Sequence, residues 1–197
     1  MTHRKRYNVP FKRKRLGRTN YKKRLKILLF GKLRLVVRKS LDNIMAQIIE
    51  YNPEGDKVIL AAHSRELDKL GWKINKGNIP TAYLVGLLLG QKAKRQKIEE
   101  LVLDLGLNDS IRGCRIYAVL KGLIDAGIRI PHSEEILPSK ERTEGIHIVN
   151  HAKILRSNKE EYEKRFGGYI KNKIDINEIP NLFEETRKKV VEVGKNG

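Results

Sequence analysis

The chain has 197 residues, with 42 Lys and Arg against 23 Asp and Glu, and a formal net charge of +19. An apolar fraction of 40% is enough to build a folded core, so a wholly disordered chain is excluded. The most apolar window, residues 82–89, is too short to cross a membrane. The single cysteine, Cys114, excludes an intramolecular disulfide framework and is typical of a reducing, cytosolic setting.

Positive charge is concentrated in the first forty-one residues, which contain sixteen Lys and Arg and no acid. Subtracting these sixteen from 42 leaves 26 basic residues against 23 acidic ones, so the rest of the chain has a net charge of only about +3. Nucleic acid, an anionic membrane and an acidic protein are the possible partners. Residues 1–20 lack both the apolar face of a membrane-binding helix and the apolar region of a secretory signal. The pattern favours an arm that follows nucleic-acid phosphates over a solvated or targeting tail.

The first predicted elements are a short helix and three strands. Thr19 or Asn20 can cap a helix over residues 21–29, which Gly31 ends. Residues 33–38 then alternate with a period of two, which predicts a strand with one core face and one face carrying Arg34 and Arg38. Two further strands are predicted at residues 44–50 and 57–62, with a turn at 52–55 between them. Their short connections predict an antiparallel meander.

Two helix–strand units are predicted to follow the meander. Asn78 can cap a helix that has Pro80 in its first turn, reaches about Lys97 and is buried in its first half. The apolar run 101–105 predicts a parallel strand. A second helix, capped within 108–110 and ended by Gly127, leads to a brief strand at 128–130. We therefore expect an α/β domain with a ribonuclease-H-like mixed sheet of five strands.

The chain is expected to divide into three parts: a basic arm with its short helix at residues 1–30, the α/β core at 31–138, and a helical extension at 139–197. Helices are predicted in the extension at 147–155, 159–166 and 180–193. The apolar stripe of the last helix is too thin for a second core, so these helices should pack on the domain or on a partner. That stripe consists of Leu182, Phe183, Thr186 and Val190.

Nuclease activity is the enzymatic hypothesis that this fold raises, and the residues argue against it. A metal-dependent nuclease needs several carboxylates converging on one or two Mg²⁺ ions. The first strand offers Arg34 and Arg38 instead, and Asp104 on the fourth strand stands alone, as a hydrogen-bonded structural group does. The segment 86–92 only faintly resembles a phosphate-binding loop, and close helix packing explains its glycines better.

The remaining reactive side chains are interpreted as structural. Cys114 has no base near it in the sequence, and His147 and His151 lack the Glu of a zinc-protease motif. His63 is either structural or a phosphate contact, and Trp72 is interpreted as a lid over the core. The sequence therefore indicates no catalytic residue, no metal site and no cofactor.

Several segments carry a resemblance to a known family. In this order they resemble the 5S-rRNA-carrying ribosomal protein family, number eighteen of the large subunit in its archaeal and eukaryotic form. The resemblance covers residues 5 to 135. Its segments are 7–11 (YNVPF), 12–15 (KRKR) with Gly17, 19–21 (TNY) with 24–25 (RL), 34–40 (RLVVRKS) with Gln47, 77–84 (GNIPTAYL), 103–106 (LDLG), 120–127 (LKGLIDAG) and 130–132 (IPH).

The resemblance implies a structural protein with no enzymatic role that binds 5S rRNA and attaches it to the large ribosomal subunit, in the cytoplasm, at the central protuberance. It implies a ribonuclease-H-like core without a catalytic centre. Its implied partners are 5S rRNA, large-subunit rRNA and a neighbouring 5S-binding ribosomal protein, with no membrane and no small-molecule substrate.

We expect the RNA-binding residues to form the arm and a rigid patch beside it. Tyr7 and Phe11 either stack on bases or anchor the arm to the protein, and Tyr21 is expected to pack. The predicted arm contacts are Arg4, Arg6, Tyr7, Phe11, Lys12, Arg13, Lys14, Arg15, Arg18, Thr19, Asn20, Tyr21, Lys22, Lys23 and Arg24. The predicted patch consists of Arg34, Arg38, Lys39, Ser40, Asn43 and Gln47, and further contacts are predicted at His63, Arg112 and Arg115.

Overall fold

The centre of the fold is one mixed sheet of four strands in the order β3-β2-β1-β4. The computed structural model describes residues 8–172 and 174–195. The strands are β1 (Arg34–Lys39), β2 (Ile44–Glu50), β3 (Lys57–His63) and β4 (Val102–Asp104). β1 pairs antiparallel with β2, and β2 with β3, while β4 runs parallel to β1. The predicted meander and the parallel crossover are confirmed.

The predicted sheet of five strands is not confirmed. Residues 128–130 form a single parallel bridge, between Arg129 and Glu100, rather than a strand. The Leu101 amide donates to the Arg129 carbonyl at 3.0 Å, and the Arg129 amide donates to the Glu99 carbonyl at 2.8 Å. Pro131 has no amide proton with which to continue this ladder. The pairing therefore ends after one residue, and a ribonuclease-H-like sheet of five strands does not form.

The two faces of the sheet have different environments. Leu35, Val37 and the alternate β2 residues Ile44, Ala46 and Ile48 belong to the hydrophobic core. Successive side chains of a strand point to opposite faces. Arg34, Val36 and Arg38 therefore point away from the helices of the core.

Helix α3 (Ile79–Arg95) lies at the centre of the core and packs against α4 (Arg115–Asp125). The predicted cap is confirmed: Asn78 Oδ1 accepts a hydrogen bond from the Thr81 amide at 3.0 Å. Residues 79–90 are all buried, as predicted. A Cβ atom on Gly122 would overlap the Tyr83 carbonyl oxygen and lie 2.6 Å from Leu87 N. Gly86 likewise faces the Val119 backbone, so the glycines serve helix packing, as the sequence indicated.

The predicted start of α4 at residues 108–110 is wrong. The helix begins at Arg115, with Cys114 as an extended N-cap. Gly113 has a φ of 64°, which cannot continue a right-handed helix, and its amide donates to the Ile136 carbonyl at 2.9 Å. The helix therefore starts only after Gly113, and periodicity does not report the tertiary hydrogen bond of that residue.

The helices after residue 138 pack on the domain, one of the two alternatives that the sequence left open. They are α5 (Lys140–Glu144), α6 (Ile146–Leu155), α7 (Lys159–Lys171) and α8 (Ile179–Lys195). Helix α8 contacts α3 and buries Phe183, Thr186 and Val190. Trp72 is 0% exposed and donates from Nε1 to Thr81 Oγ1 at 2.8 Å, so it lies inside the core beneath these contacts. The division of the chain at residues 30 and 138 stays a prediction.

Short 3₁₀ segments at Ser64–Leu70, Glu134–Ile136 and Ile176–Glu178 connect these elements. Within the described ranges, no helix combines the length and the apolar character that a membrane crossing requires.

The close contact between α3 and α4 predicts that adding one methyl group at Gly122 destabilises the protein. Gly122→Ala should lower the free energy of unfolding by about 1–3 kcal/mol, because the added methyl group meets backbone atoms that cannot move aside. Gly168→Ala in α7 is the matched control, since a Cβ there meets nothing within 4 Å. It should leave stability unchanged or raise it by up to about 1 kcal/mol. Equal effects of the two changes in urea unfolding would contradict the close backbone contact.

Candidate nucleic-acid interface

The described part of the basic arm contains two short helices that expose their charges. Helix α1 (Lys12–Arg15), which the sequence did not predict, consists of four basic residues, all exposed. Helix α2 (Tyr21–Leu28) is capped by Asn20, whose Oδ1 accepts from the Lys23 amide at 3.1 Å, as predicted. The side chains of Lys22, Lys23 and Lys26 are exposed on α2. The predicted contacts Arg4, Arg6 and Tyr7 lie outside the described residues.

Two side-chain contacts order the arm around these helices. Arg13 Nε donates to Thr19 Oγ1 at 2.9 Å and so ties α1 to the residues just before α2. The rings of Phe11 and Tyr21 lie 5.4 Å apart between centroids. Tyr21 is half-buried, and Arg18 is exposed between the two helices. That these residues contact RNA stays a prediction for Phe11, Arg13, Arg18, Thr19 and Tyr21.

Arg24 joins the arm to the body of the protein. It donates two hydrogen bonds to Asp56, from Nη1 at 2.9 Å and from Nη2 at 2.8 Å, so the pair is bidentate. The hydrogen bonds from Arg24 are the main reason that the pKa of the Asp56 carboxyl is lowered. Arg34 lowers this pKa further, whereas burial of the carboxyl acts in the opposite direction. Asp56 follows the β2–β3 turn. Arg24 thus anchors the arm within the protein, and its contact with RNA stays a prediction.

Arg34 is not on an exposed face, and this part of the predicted patch is wrong. Its side chain is only 2% exposed, and carboxylates approach it from two other segments. Nη1 donates to Asp104 Oδ2 at 2.9 Å, and Nη2 lies 2.7 Å from Asp56 Oδ2. A buried charge requires such partners. Arg24, Asp56, Arg34 and Asp104 form what we call the ion-pair network.

Asp104 has a second bond that extends the network to the loop after β4. Its Oδ1 accepts from the Gly106 amide at 2.9 Å, and Gly106 has a φ of 58°. The structural role predicted for Asp104 is confirmed. One carboxylate therefore fixes both the guanidinium of β1 and the turn beside it.

A cleft of about 980 Å³ lies between the arm and this edge of the sheet. Arg38 remains exposed there and passes close to Gly106, where a Cβ atom would lie 3.6 Å from Arg38 Nη1. Cations from both sides therefore line the cleft, and Asp56 and Asp104, which also line it, are already paired with arginines. The basic residues of this cationic cleft are Arg13, Arg18, Lys23, Arg24 and Arg38.

The rest of the predicted patch occupies the turn between β1 and β2. Lys39 and Ser40 are exposed, and Ser40 Oγ accepts from the Asn43 amide at 2.9 Å, which shapes the turn. Asn43 Oδ1 accepts from Ser64 Oγ at 3.1 Å. Gln47 is half-buried and pairs with Val36, on the face that carries Arg38. Arg38, just before this turn, lines the cleft, and contact of the turn with RNA stays a prediction.

The other three predicted contacts have partners within the protein. His63 Nδ1 accepts from the Arg65 amide at 3.1 Å and caps the following 3₁₀ segment, so it has the structural role that was one of its two interpretations. Arg115 Nη1 donates to the carbonyls of Ser40 at 2.9 Å and Gly77 at 2.8 Å, which ties the β1–β2 turn to α4. Arg112 is exposed and pairs with Glu135 at 3.1 Å.

Among the described residues, no group of three or more His, Cys, Asp or Glu side chains is placed to hold a metal ion. Burial lowers the pKa of His147, and the His151 ring packs 6.0 Å from that of Phe166. Cys114 is half-buried at the N-cap of α4.

Comparison with known families shows which family the chain belongs to. A family model described as ribosomal large subunit proteins 60S L5 and 50S L18 matches residues 5–100 and 91–133, which is more than half of the chain. The chain belongs to this family. It is a structural ribosomal protein of the large subunit, located in the cytoplasmic ribosome, and its family is not an enzyme family. The resemblance found in the sequence is confirmed, and the matched residues of this ribosomal protein include the whole ion-pair network.

The ion-pair network predicts that the buried side chain of Arg34 contributes to the stability of the folded protein. Arg34→Met should lower the free energy of unfolding by about 3 kcal/mol, because it leaves two carboxylates without their partner. This value is near the low end for breaking a buried ion pair, since the side chains of Asp56 and Asp104 are 25% and 15% exposed. Arg38→Met is the control on the same face, since its side chain is exposed. Equal destabilisation of the two variants in denaturant unfolding would mean that the buried pairing of Arg34 is energetically irrelevant.

The lowered pKa of Asp56 predicts how stability responds to acid. A carboxyl with a folded pKa below its unfolded value, near 3.9, stabilises the protein above that pH and loses this contribution as the pH falls through the folded pKa. Asp56→Asn should therefore be less stable than the wild type at neutral pH, with a difference that shrinks below about pH 4. Glu54→Gln, an exposed acid in the same turn, should show no such convergence in thermal unfolding measured from pH 7 to 3.

Proposed function

We propose that this ribosomal protein binds 5S rRNA with its basic arm and the adjoining sheet edge, and attaches it to the large subunit at the central protuberance. The observation that carries the proposal is the cationic cleft, in which exposed basic residues of the arm face Arg38 of the sheet. Family membership supports ribosomal RNA as the polyanion. The specific choice of 5S rRNA rests on the family resemblance of residues 5 to 135.

The arm suits a folded RNA because of how such RNA exposes its chemistry. The major groove of an RNA helix is too deep and narrow for side chains, so proteins contact phosphates, 2′-hydroxyls and unstacked bases. Lys12 and Lys14 on α1 and Lys22 and Lys23 on α2 are exposed and free of nearby acids in the sequence. Each phosphate that they neutralise releases condensed counterions, which makes the binding salt-dependent.

The ion-pair network attaches the arm to the folded body at a fixed position. Arg24 holds α2 to Asp56, and Asp56 is held in turn by Arg34. A cationic segment without such a tether would lose more conformational freedom on binding. The proposed RNA contacts are the arm and the β1–β2 turn, with large-subunit rRNA and a neighbouring 5S-binding ribosomal protein as the further partners.

The chemistry of the carboxylates supports RNA binding over RNA cleavage. Asp56 and Asp104 are the acids that line the cationic cleft together with Glu54. Two-metal cleavage needs carboxylates free to hold Mg²⁺. Both aspartates already neutralise the guanidinium of Arg34, which is nearly inaccessible to solvent. We therefore propose that this ribosomal protein holds RNA and performs no catalysis.

The proposal is tested by removing the same amount of charge from two different places. Replacing Lys12, Lys14, Lys22 and Lys23 together by Gln should weaken 5S rRNA binding and reduce the log–log salt slope by about 3, at roughly 0.7–0.9 for each phosphate that is no longer neutralised. The control replaces four exposed lysines of α7 and α8, Lys159, Lys164, Lys171 and Lys188, and has the same net charge.

Filter binding or fluorescence titration at several salt concentrations measures both affinities and both slopes. The control should keep the wild-type slope. An equal weakening of both variants would show that total charge, and not the arm, determines binding. Failure of the unmodified protein to prefer 5S rRNA over another folded RNA of similar length would refute the specific function.

A further inference from the structure

A second pocket, more apolar than the first, lies next to the cationic cleft. It has a volume of about 490 Å³ and is formed by the arm on one side and by the residues that follow β2 on the other. Tyr21, Arg24 and Pro53 line both spaces, so the pocket and the cleft adjoin each other. We call it the aromatic pocket, and its remaining apolar wall comes from Phe11, Leu25, Leu28 and Tyr51.

Two of the three aromatic side chains of this pocket are open to solvent, while Tyr21 is half-buried. Phe11 is 73% exposed and Tyr51 is 51% exposed, and Leu25 beside them is 60% exposed. Single exposed apolar residues are ordinary, but a contiguous apolar patch with a polar rim marks an interaction site. Tyr51 is not basic and lies outside the arm, so charge counting did not find it.

The surroundings of the pocket select the chemistry of its occupant. The charged residues that line the pocket itself, Arg24 and Asp56, are paired with each other. The adjoining cationic cleft supplies the exposed arm cations Arg13, Arg18 and Lys23. An occupant must therefore present a flat apolar surface a short distance from negative charge. A nucleotide has this combination, because its base and its phosphate are joined through one sugar. Base–aromatic stacking beside a positively charged groove is a general mode of binding single-stranded nucleic acid.

We propose that the aromatic pocket takes one unstacked base of the bound rRNA, with Tyr51 and Phe11 stacking on it while the neighbouring phosphates lie in the cationic cleft. The inference rests on the proposed function and adds a site for a single base to it. Unstacked bases occur in the loops and bulges of folded RNA. The pocket volume is within the range of roughly 300–1,000 Å³ in which proteins bind small ligands.

Stacking and phosphate binding respond differently to salt, which gives the decisive test. In the full-length chain, Tyr51→Ala should weaken 5S rRNA binding by about 5- to 150-fold, the range for removal of one base–aromatic stack, with the salt slope unchanged because no cation is removed. Tyr51→Phe retains the ring and should bind like the wild type. Ultraviolet crosslinking of the wild-type complex, followed by mass spectrometry, should attach a nucleotide to the peptide containing Tyr51 or Phe11.

Wild-type affinity of Tyr51→Ala would overturn the inference while leaving the proposed function intact, whereas a wild-type chain that does not bind 5S rRNA would overturn both. A reduced salt slope in Tyr51→Ala would show that the ring acts only through the cations of the arm, and the base site would be wrong. Normal rRNA binding by Tyr51→Ala, together with failure to bind a neighbouring ribosomal protein, would make the pocket a protein-docking site. Should Tyr51→Ala unfold, Phe11→Ala serves in its place, since Phe11 lies on the arm outside the core.

Discussion

The buried guanidinium of Arg34 is the constraint on which the RNA-facing side of the molecule depends. A charge that is 2% exposed in the middle of a sheet requires compensation, and Asp56 and Asp104 supply it from two other segments. Asp56 also receives Arg24 of the arm. One ion-pair network thus joins the arm, the first strand and the turn after the second, and it fixes where the exposed cations begin.

The network also separates two uses of positive charge. Arg24, Arg34 and Arg115 donate to carboxylates or carbonyls of the protein and hold elements together. The lysines of α1 and α2 and the exposed Arg38 have their charges in solvent, where phosphates can reach them. A guanidinium suits the first role because its planar fork forms several aligned bonds. The scaffold of the interface is therefore built mainly with arginine.

A tight core on the opposite face of the sheet keeps this arrangement rigid. Gly86 and Gly122 let the backbones of α3 and α4 touch, and α8 covers α3 with Phe183 and Val190. Close packing leaves few alternative arrangements of the helices. The β1–β2 turn is tied to α4 by Arg115. The rigid core therefore also restrains the turn that carries Lys39 and Ser40.

The sequence by itself determined the local structure, the concentration of charge in the arm, and the family. Periodicity and capping residues located β1, β2, β3 and α3, because these signals act over a few neighbouring positions. It did not reveal that Arg34 is buried, that residues 128–130 form only a bridge, or that Tyr51 joins Phe11 in a pocket. The partners of Arg34 lie 22 and 70 positions away, and alternation alone cannot distinguish a solvated arginine from a paired one. Only the tertiary structure decides such contacts, because they depend on which distant segments meet across the sheet.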